Sequence, residues 1–199
     1  MSVQIFVEGG GNQATSKAMC RKGFSDYCGR IASLRHNPRI VACGSRDEAF
    51  KKFCIAVSES RQGEKVVLLV DSEEAIVAGS TIEHLSLRDP SWNFPRLQQH
   101  RTFLMVQTME AWLLADRDIL AEFYDGGYLP NALPQNPSVE NISKQDLELG
   151  LKNATRGTKS KGEYHKTKHG FALLSLIDPQ KVESASPHAA SFHQFLRSV

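Results

Sequence analysis

The apolar positions of the chain change period as they run, and the changes mark its elements. Residues 3–7, VQIFV, predict a short strand that stops at Glu8 and three glycines. From about Gln13 to Leu34 the residues Cys20, Phe24, Tyr27, Cys28, Ile31 and Leu34 recur at helical spacing. RIVAC, 39–43, predicts a second strand closed by Gly44. Ser45, with Glu48 three residues on, is a capping-box pattern that opens a helix burying Ala49, Phe50, Phe53, Cys54 and Val57. KVVLLV, 65–70, is an unbroken apolar run of the kind found in strands covered on both faces, and it ends at Asp71-Ser72-Glu73-Glu74. A loop region with Pro90 and Pro95 leads to a fourth strand, FLMVQT, 103–108.

The rest of the chain is helical. MEAWLLAD predicts a turn or two of helix, and RDILAEF a second helix with Asp116 as N-cap. Ser143 caps a helix running to about Ala154, GFALLSLI is an apolar helix, and Ser186-Pro187 starts a terminal helix carrying Phe192, Phe195 and Leu196. Trp112, Leu113 and Leu114, like Phe171, Leu173, Leu174 and Ile177, fit the core. Strand alternating with helix predicts an α/β fold, a doubly wound, mostly parallel sheet with helices on both faces and extra C-terminal helices. No repeat or long linker divides the chain. A single domain over 1–199 is expected, with its core at about 1–125 and a helical extension at about 126–199.

Composition narrows the class. A chain of 199 residues, 41% hydrophobic and 23% charged, has the make-up of one globular domain. No apolar run nears the roughly 18 residues of a membrane span, so no membrane partner is expected. MSVQIFVEGG enters a strand with no basic region or cleavage site, which predicts a cytoplasmic protein. Cys20, Cys28, Cys43 and Cys54 form no C-x-x-C pair and read as reduced core cysteines rather than a zinc site. Net charge is +2, but Lys152, Arg156, Lys159, Lys161, Lys166 and Lys168 crowd into 152–169 against the single acid Glu163, with His165 and His169 beside them. The stretch reads as an exposed loop, either a solvated lysine-rich segment or an anion-binding one.

The acids give the chemistry. In an open parallel sheet, ligands bind beyond the carboxyl ends of the strands. Glu8 follows the first predicted strand, Asp71 and Glu73 follow the third, and the fourth runs into Glu110. Each acid alone suits a turn or a helix start. Together, at one sheet edge, they repel one another and call for a cation. Hard oxygen ligands suit Mg²⁺ or Mn²⁺. The glycines after Glu8 allow a close backbone approach, and amides at the next helix start could meet a phosphate.

IFVEGGGN with LLVDSEE resembles the TOPRIM domain, whose pattern is Glu-Gly after the first strand and Asp-x-Asp after a later apolar strand. The segments VEGGGN, CRKGF, RIVACGSRDEAF, LLVDSEE, LMVQTMEAWLLADRDIL, YHKTKHGFALLSLIDP and SPHAASFHQFL extend the likeness over nearly the whole chain, to a family of uncharacterised bacterial TOPRIM-like proteins related to nucleases of the overcoming-lysogenization-defect type. The resemblance implies that Glu8 is the acid/base glutamate, that Asp71 and Glu73 are a metal-binding pair, and that Glu110 is an extra acid. Glu73 departs from the family's usual Asp, which changes the reach of that ligand.

The expectation is therefore a Mg²⁺- or Mn²⁺-dependent nuclease cutting DNA or RNA, which the resemblance links to phage defence. Asp71, Glu73 and Glu110 would hold metal, with Glu8 as general base or a further ligand. Lys166, Lys168 or His169 would neutralise phosphate charge. The chain is too short for a topoisomerase's separate tyrosine domain, and Tyr27 and Tyr164 read as core or surface residues. An alternative is a regulatory or partner-activated subunit of an ABC-type ATPase, a partner the resemblance implies. GGGNQATSK lacks a Walker motif to hydrolyse ATP itself. A third reading, a small-molecule phosphohydrolase, is weakened by Glu8 standing where a nucleophilic Asp is usual. A homodimer would suit an enzyme that cuts two strands.

Overall fold

The computed structural model describes residues 2–76, 79–94 and 100–199, so Pro95 lies outside the described residues. Among these, β1 (Ser2–Val7), β2 (Arg39–Ala42), β3 (Glu64–Asp71) and β4 (Thr102–Met105) form a parallel sheet in the order β2-β1-β3-β4. Val7 lies between Ala42 and Leu69, and Asp71 stands opposite Met105. The helices are α1 (Ala14–Gly29), α2 (Arg46–Glu59), α3 (Thr81–Arg88), α4 (Met109–Ala115), α5 (Arg117–Tyr124), α6 (Lys144–Thr155), α7 (Phe171–Leu174), α8 (Pro179–Ala185) and α9 (Pro187–Ser198). The chain thus has the α/β fold that its alternating pattern predicts, with further C-terminal helices.

The period-2 geometry of a strand explains why β3 is apolar over residues 66–70. Val67 and Leu69 turn to one layer, with Val3, Ile5 and Val7 of β1, Phe24 and Tyr27 of α1 and Trp112 of α4. Val66, Leu68 and Val70 turn to the other, with Phe6, Ala49 and Phe53 of α2 and Leu85 of α3. The C-terminal helices join the first layer: Leu147, Leu151, Phe171, Leu174, Phe192 and Leu196 are continuous with it.

Several boundaries differ from those the pattern predicts. The fourth strand leaves the ladder after Met105, because Gln107 takes a left-handed backbone, φ 63°. The first helix ends at Gly29, and Ile31 and Leu34 pack on the core from the following chain. Helix α3 falls in the predicted loop, opened by a full capping box of Ser80 and Glu83. Asp116 is the N-cap residue of α5 as expected, but its side chain makes no capping bond; its carboxylate accepts the Asp178 N–H at 2.9 Å and the Lys181 ammonium at 2.6 Å. GFALLSLI is α-helical only over Phe171–Leu174, after a π-helical turn at Lys166–Gly170.

The basic stretch is more than a loop. Lys152 belongs to α6, the Tyr164 N–H donates to Thr155 Oγ1 at 2.7 Å, and the Thr158 hydroxyl donates to the Gly162 carbonyl at 3.0 Å. The four cysteines carry no disulfide. Burial pushes the thiols of Cys20 and Cys28 up to about 12 and that of Cys43 to about 11, so they stay protonated. No helix among the described residues is long and apolar enough to cross a membrane.

Candidate metal centre

In the order β2-β1-β3-β4, the chain leaves β1 for one side of the sheet and β3 for the other. The crevice beyond the carboxyl ends of these neighbouring strands is the switch point where such sheets bind ligands. Glu8 follows β1, Asp71 ends β3 and Glu73 lies two residues on. One carboxylate oxygen from each lies within 4.8 Å of the others. They line a cleft of about 280 Å³ with Arg46, Met109 and Lys166.

Backbone hydrogen bonds fix the acids in place. Glu8 Oε1 accepts the Asp71 N–H at 3.0 Å, and Asp71 Oδ1 accepts the Met109 N–H at 2.8 Å, at the start of α4. Glu73 has a left-handed backbone, φ 69°, unusual for a residue with a Cβ. It is held by its N–H donating to the Gln107 carbonyl at 2.7 Å, while the Gln107 N–H donates to Ser72 Oγ at 2.7 Å. Gln107 Oε1 accepts the Lys144 N–H at 3.1 Å, and the Lys144 ammonium pairs with the Glu73 carboxylate. The turn after Glu8 needs its glycines: Gly10 has φ 80°, and a Cβ there would lie 2.8 Å from the Lys17 Cα.

Three cations face these acids. Arg46 Nη1 lies 3.6 Å from Glu8 Oε2 and also donates to the Asp71 carbonyl. Its Nε and Nη2 hold Asp89 Oδ2 at 3.0 and 2.9 Å, and its guanidinium lies 4.9 Å from the Trp92 ring centre. Lys166 Nζ stands 3.6 Å from Asp71 Oδ2 and 3.3 Å from Glu110 Oε2. The Tyr164 hydroxyl donates to Glu110 Oε1 at 2.9 Å.

Burial, and then the charge of Glu8, push the Asp71 carboxyl well above the usual range, against the pull of Lys166. Burial also pushes Glu73 up, but the hydrogen bond and charge of Lys144 outweigh it and hold it below its ordinary value. Lys166 is penalised by burial, yet Asp71 and Glu110 win and raise it. Five carboxylates (Glu8, Asp71, Glu73, Asp89 and Glu110) thus meet four cations (Arg46, Arg88, Lys144 and Lys166). A divalent ion fits this donor set: the donors are all hard oxygens, and their spread is close to the about 4.2 Å that is the most two ligands at about 2.1 Å from one ion can stand apart.

The remaining candidates are placed elsewhere. Glu110 is buried outside the group of three, its Oε1 taken by Tyr164 and its Oε2, which accepts no hydrogen bond, 3.3 Å from the Lys166 ammonium. Glu74 is exposed and outside the group. Lys168 lines a neighbouring groove of about 520 Å³ with His165, Thr167 and the start of α1. His169 is buried, and its Nδ1 accepts the His165 N–H at 3.3 Å and meets the Tyr124 hydroxyl at 3.0 Å. Burial, and then Lys168, keep His169 below its ordinary pKa, and it does not line the cleft. Among Lys166, Lys168 and His169, Lys166 alone reaches the acids. Tyr27 is buried with its hydroxyl 3.0 Å from His193 Nε2, and serves the core.

Sequence reasoning missed Arg46, Lys144, Gln107 and the role of Tyr164. Arg46 and Lys144 open α2 and α6 directly after the capping residues Ser45 and Ser143. That position could have been read as facing a strand end, but no local pattern says which one.

No curated protein and no solved structure matches the chain. A family model, described as a domain of unknown function (DUF4276), matches residues 7–197. Covering nearly the whole sequence, that match establishes that the chain belongs to the DUF4276 family.

Proposed function

We propose that the protein is a metal-dependent nuclease of the TOPRIM type, hydrolysing phosphodiester bonds with Mg²⁺ or Mn²⁺. The observation that carries this reading is the meeting of Glu8, Asp71 and Glu73 at the switch point, each with an oxygen within 4.8 Å of the others. A divalent ion held there would supply the charge that polarises a phosphoryl oxygen.

The chain's own residues supply the rest. Glu8 has its Oε1 tied to the Asp71 amide, and its Oε2, 3.6 Å from Arg46 Nη1, would take a proton from an attacking water once Arg46 gives way. Arg46, anchored by Asp89, keeps Glu8 and the end of β3 in register. Lys166, half exposed at the cleft, is set to neutralise charge on the phosphoryl or leaving oxygen.

The test is a cleavage panel of tRNA, single-stranded DNA and duplex DNA with Mg²⁺, Mn²⁺ or EDTA. Metal-dependent cutting that falls at least about 100-fold in Asp71→Ala or Glu8→Ala is the expected result. Full retention of cutting in either variant overturns the assignment. A second reading has its own support, because each of the three acids is already engaged by a cation: Arg46, Lys166 or Lys144. A subunit whose acids are freed when an ABC-type ATPase docks would stay silent alone and cut only in the complex.

A further inference from the structure

We infer that this centre takes one divalent ion, and that the Lys166 ammonium fills the place where a two-metal site would hold its second. The inference rests on the metal-dependent reading above. Two-metal phosphodiesterases set their ions about 3.5–4 Å apart, on either side of a stabilised phosphoryl group. Here Asp71 belongs to two groupings at once. It is one of the three acids whose oxygens converge, and its Oδ2 faces Lys166 Nζ at 3.6 Å. On its far side Lys166 meets Glu110 Oε2 at 3.3 Å. Asp71 is therefore shared between the group of three acids that would hold an ion and the Lys166 ammonium.

Glu110 is suited to the ammonium rather than to the ion. Its side chain is 1% exposed, and its Oε1 is taken by the Tyr164 hydroxyl at 2.9 Å, so one oxygen remains; that Oε2 accepts no hydrogen bond and faces the Lys166 ammonium at 3.3 Å. A buried carboxylate pair such as Asp71 and Glu110 needs positive charge between its members, and the chain builds that charge in. A second divalent ion there would have to displace Lys166, since the two cations would repel at that range. The backbone fixes Lys166 at the start of the π-helical turn Lys166–Gly170, which runs into Phe171 packed against Gly23 of α1. An ammonium carries three donors. Asp71 Oδ2 at 3.6 Å and Glu110 Oε2 at 3.3 Å face it as ion-pair contacts, so a donor is available for a non-bridging phosphate oxygen in the cleft.

The test is calorimetric titration of Mn²⁺ into metal-stripped wild type, Lys166→Met and Glu110→Gln, with electron paramagnetic resonance of the loaded proteins. Wild type is expected to bind one ion with the spectrum of an isolated Mn²⁺. Lys166→Met is expected to bind a second, weaker ion and to show a coupled pair. Glu110→Gln is expected to keep one ion, with affinity within about threefold of wild type. Two ions in wild type, or a folded Lys166→Met that still takes one, overturns the inference. If Lys166→Met does not fold, the other two proteins decide it, because loss of the ion in Glu110→Gln would make Glu110 a ligand. Wild type that binds no Mn²⁺ removes the metal reading itself, an outcome distinct from a stoichiometry of two.

Discussion

Asp71 is the residue on which the centre turns. It accepts the Met109 N–H, faces Lys166 and lies beside Glu8, all while almost fully buried. Its carboxyl is raised by burial and by Glu8, so the folded protein holds a proton there at a pH where the unfolded chain has lost it. Without metal, this group therefore contributes stability that declines as pH rises from the unfolded value toward the raised one. Asp71→Asn keeps the shape and removes the charge, so metal-free Asp71→Asn should melt above wild type at pH 8. The gain should shrink toward pH 5, and each kcal/mol is worth roughly 2–4 °C in a chain of this size. The same variant should lose the stabilisation that Mn²⁺ gives wild type, and wild-type Mn²⁺ affinity should weaken as pH falls, because the proton competes for Asp71. Thermal melts at the two pH values, with and without Mn²⁺, check all three outcomes. A metal-free Asp71→Asn that melts below wild type at pH 8 would contradict the account of the buried charge.

At the scale of elements, the π-helical turn and the short α7 deliver Lys166, and α1 sets their position. Gly23 lets α1 approach so closely that a Cβ there would lie 2.6 Å from the Phe171 carbonyl oxygen. Two effects of Gly23→Ala oppose each other. Alanine is the better helix former by about 1 kcal/mol, whereas forcing packed backbone apart costs typically about 1–3 kcal/mol. The second should win, because the obstructing atom belongs to backbone and cannot rotate away. Gly23→Ala is therefore expected to lower the urea midpoint and to weaken Mn²⁺ binding through the displaced Lys166. A raised midpoint would show that α7 yields freely. The sequence displays Gly23 only as an unremarkable glycine in a helical stretch, since its partner is 148 positions away.

At the scale of the whole molecule, helices from beyond residue 125 share the apolar layer of α1 and α4. Trp112 stacks on Tyr27 at 5.2 Å and on Phe192 at 6.4 Å, which joins α4, α1 and α9. Lys166 and Lys144, both beyond residue 125, reach Asp71 at the end of β3 and Glu73 just past it. A fragment of residues 1–125 would expose the apolar faces that Leu147, Phe171, Leu174 and Phe192 cover. It is expected to give no dispersed NMR spectrum and no cooperative melt, and a fragment that melts cooperatively would show that the sheet supports itself.

What the sequence by itself determined is local or periodic. The alternation of periods specified the α/β class, the apolar run at 65–70 specified a strand buried on both faces, and Ser45 and Ser143 specified two helix starts, because each signal is carried by neighbouring residues. Glu8, Asp71 and Glu73 were legible as a group for the same reason: a parallel sheet has only one carboxyl edge to which strand ends can bring them. Tertiary structure alone decided which cations meet them. It brought Lys166 to Asp71 and Glu110 and left Lys168 and His169 elsewhere, although all three lie within four positions of one another. A π-helical turn sets those directions, and it is held by packing against α1 that no local pattern encodes.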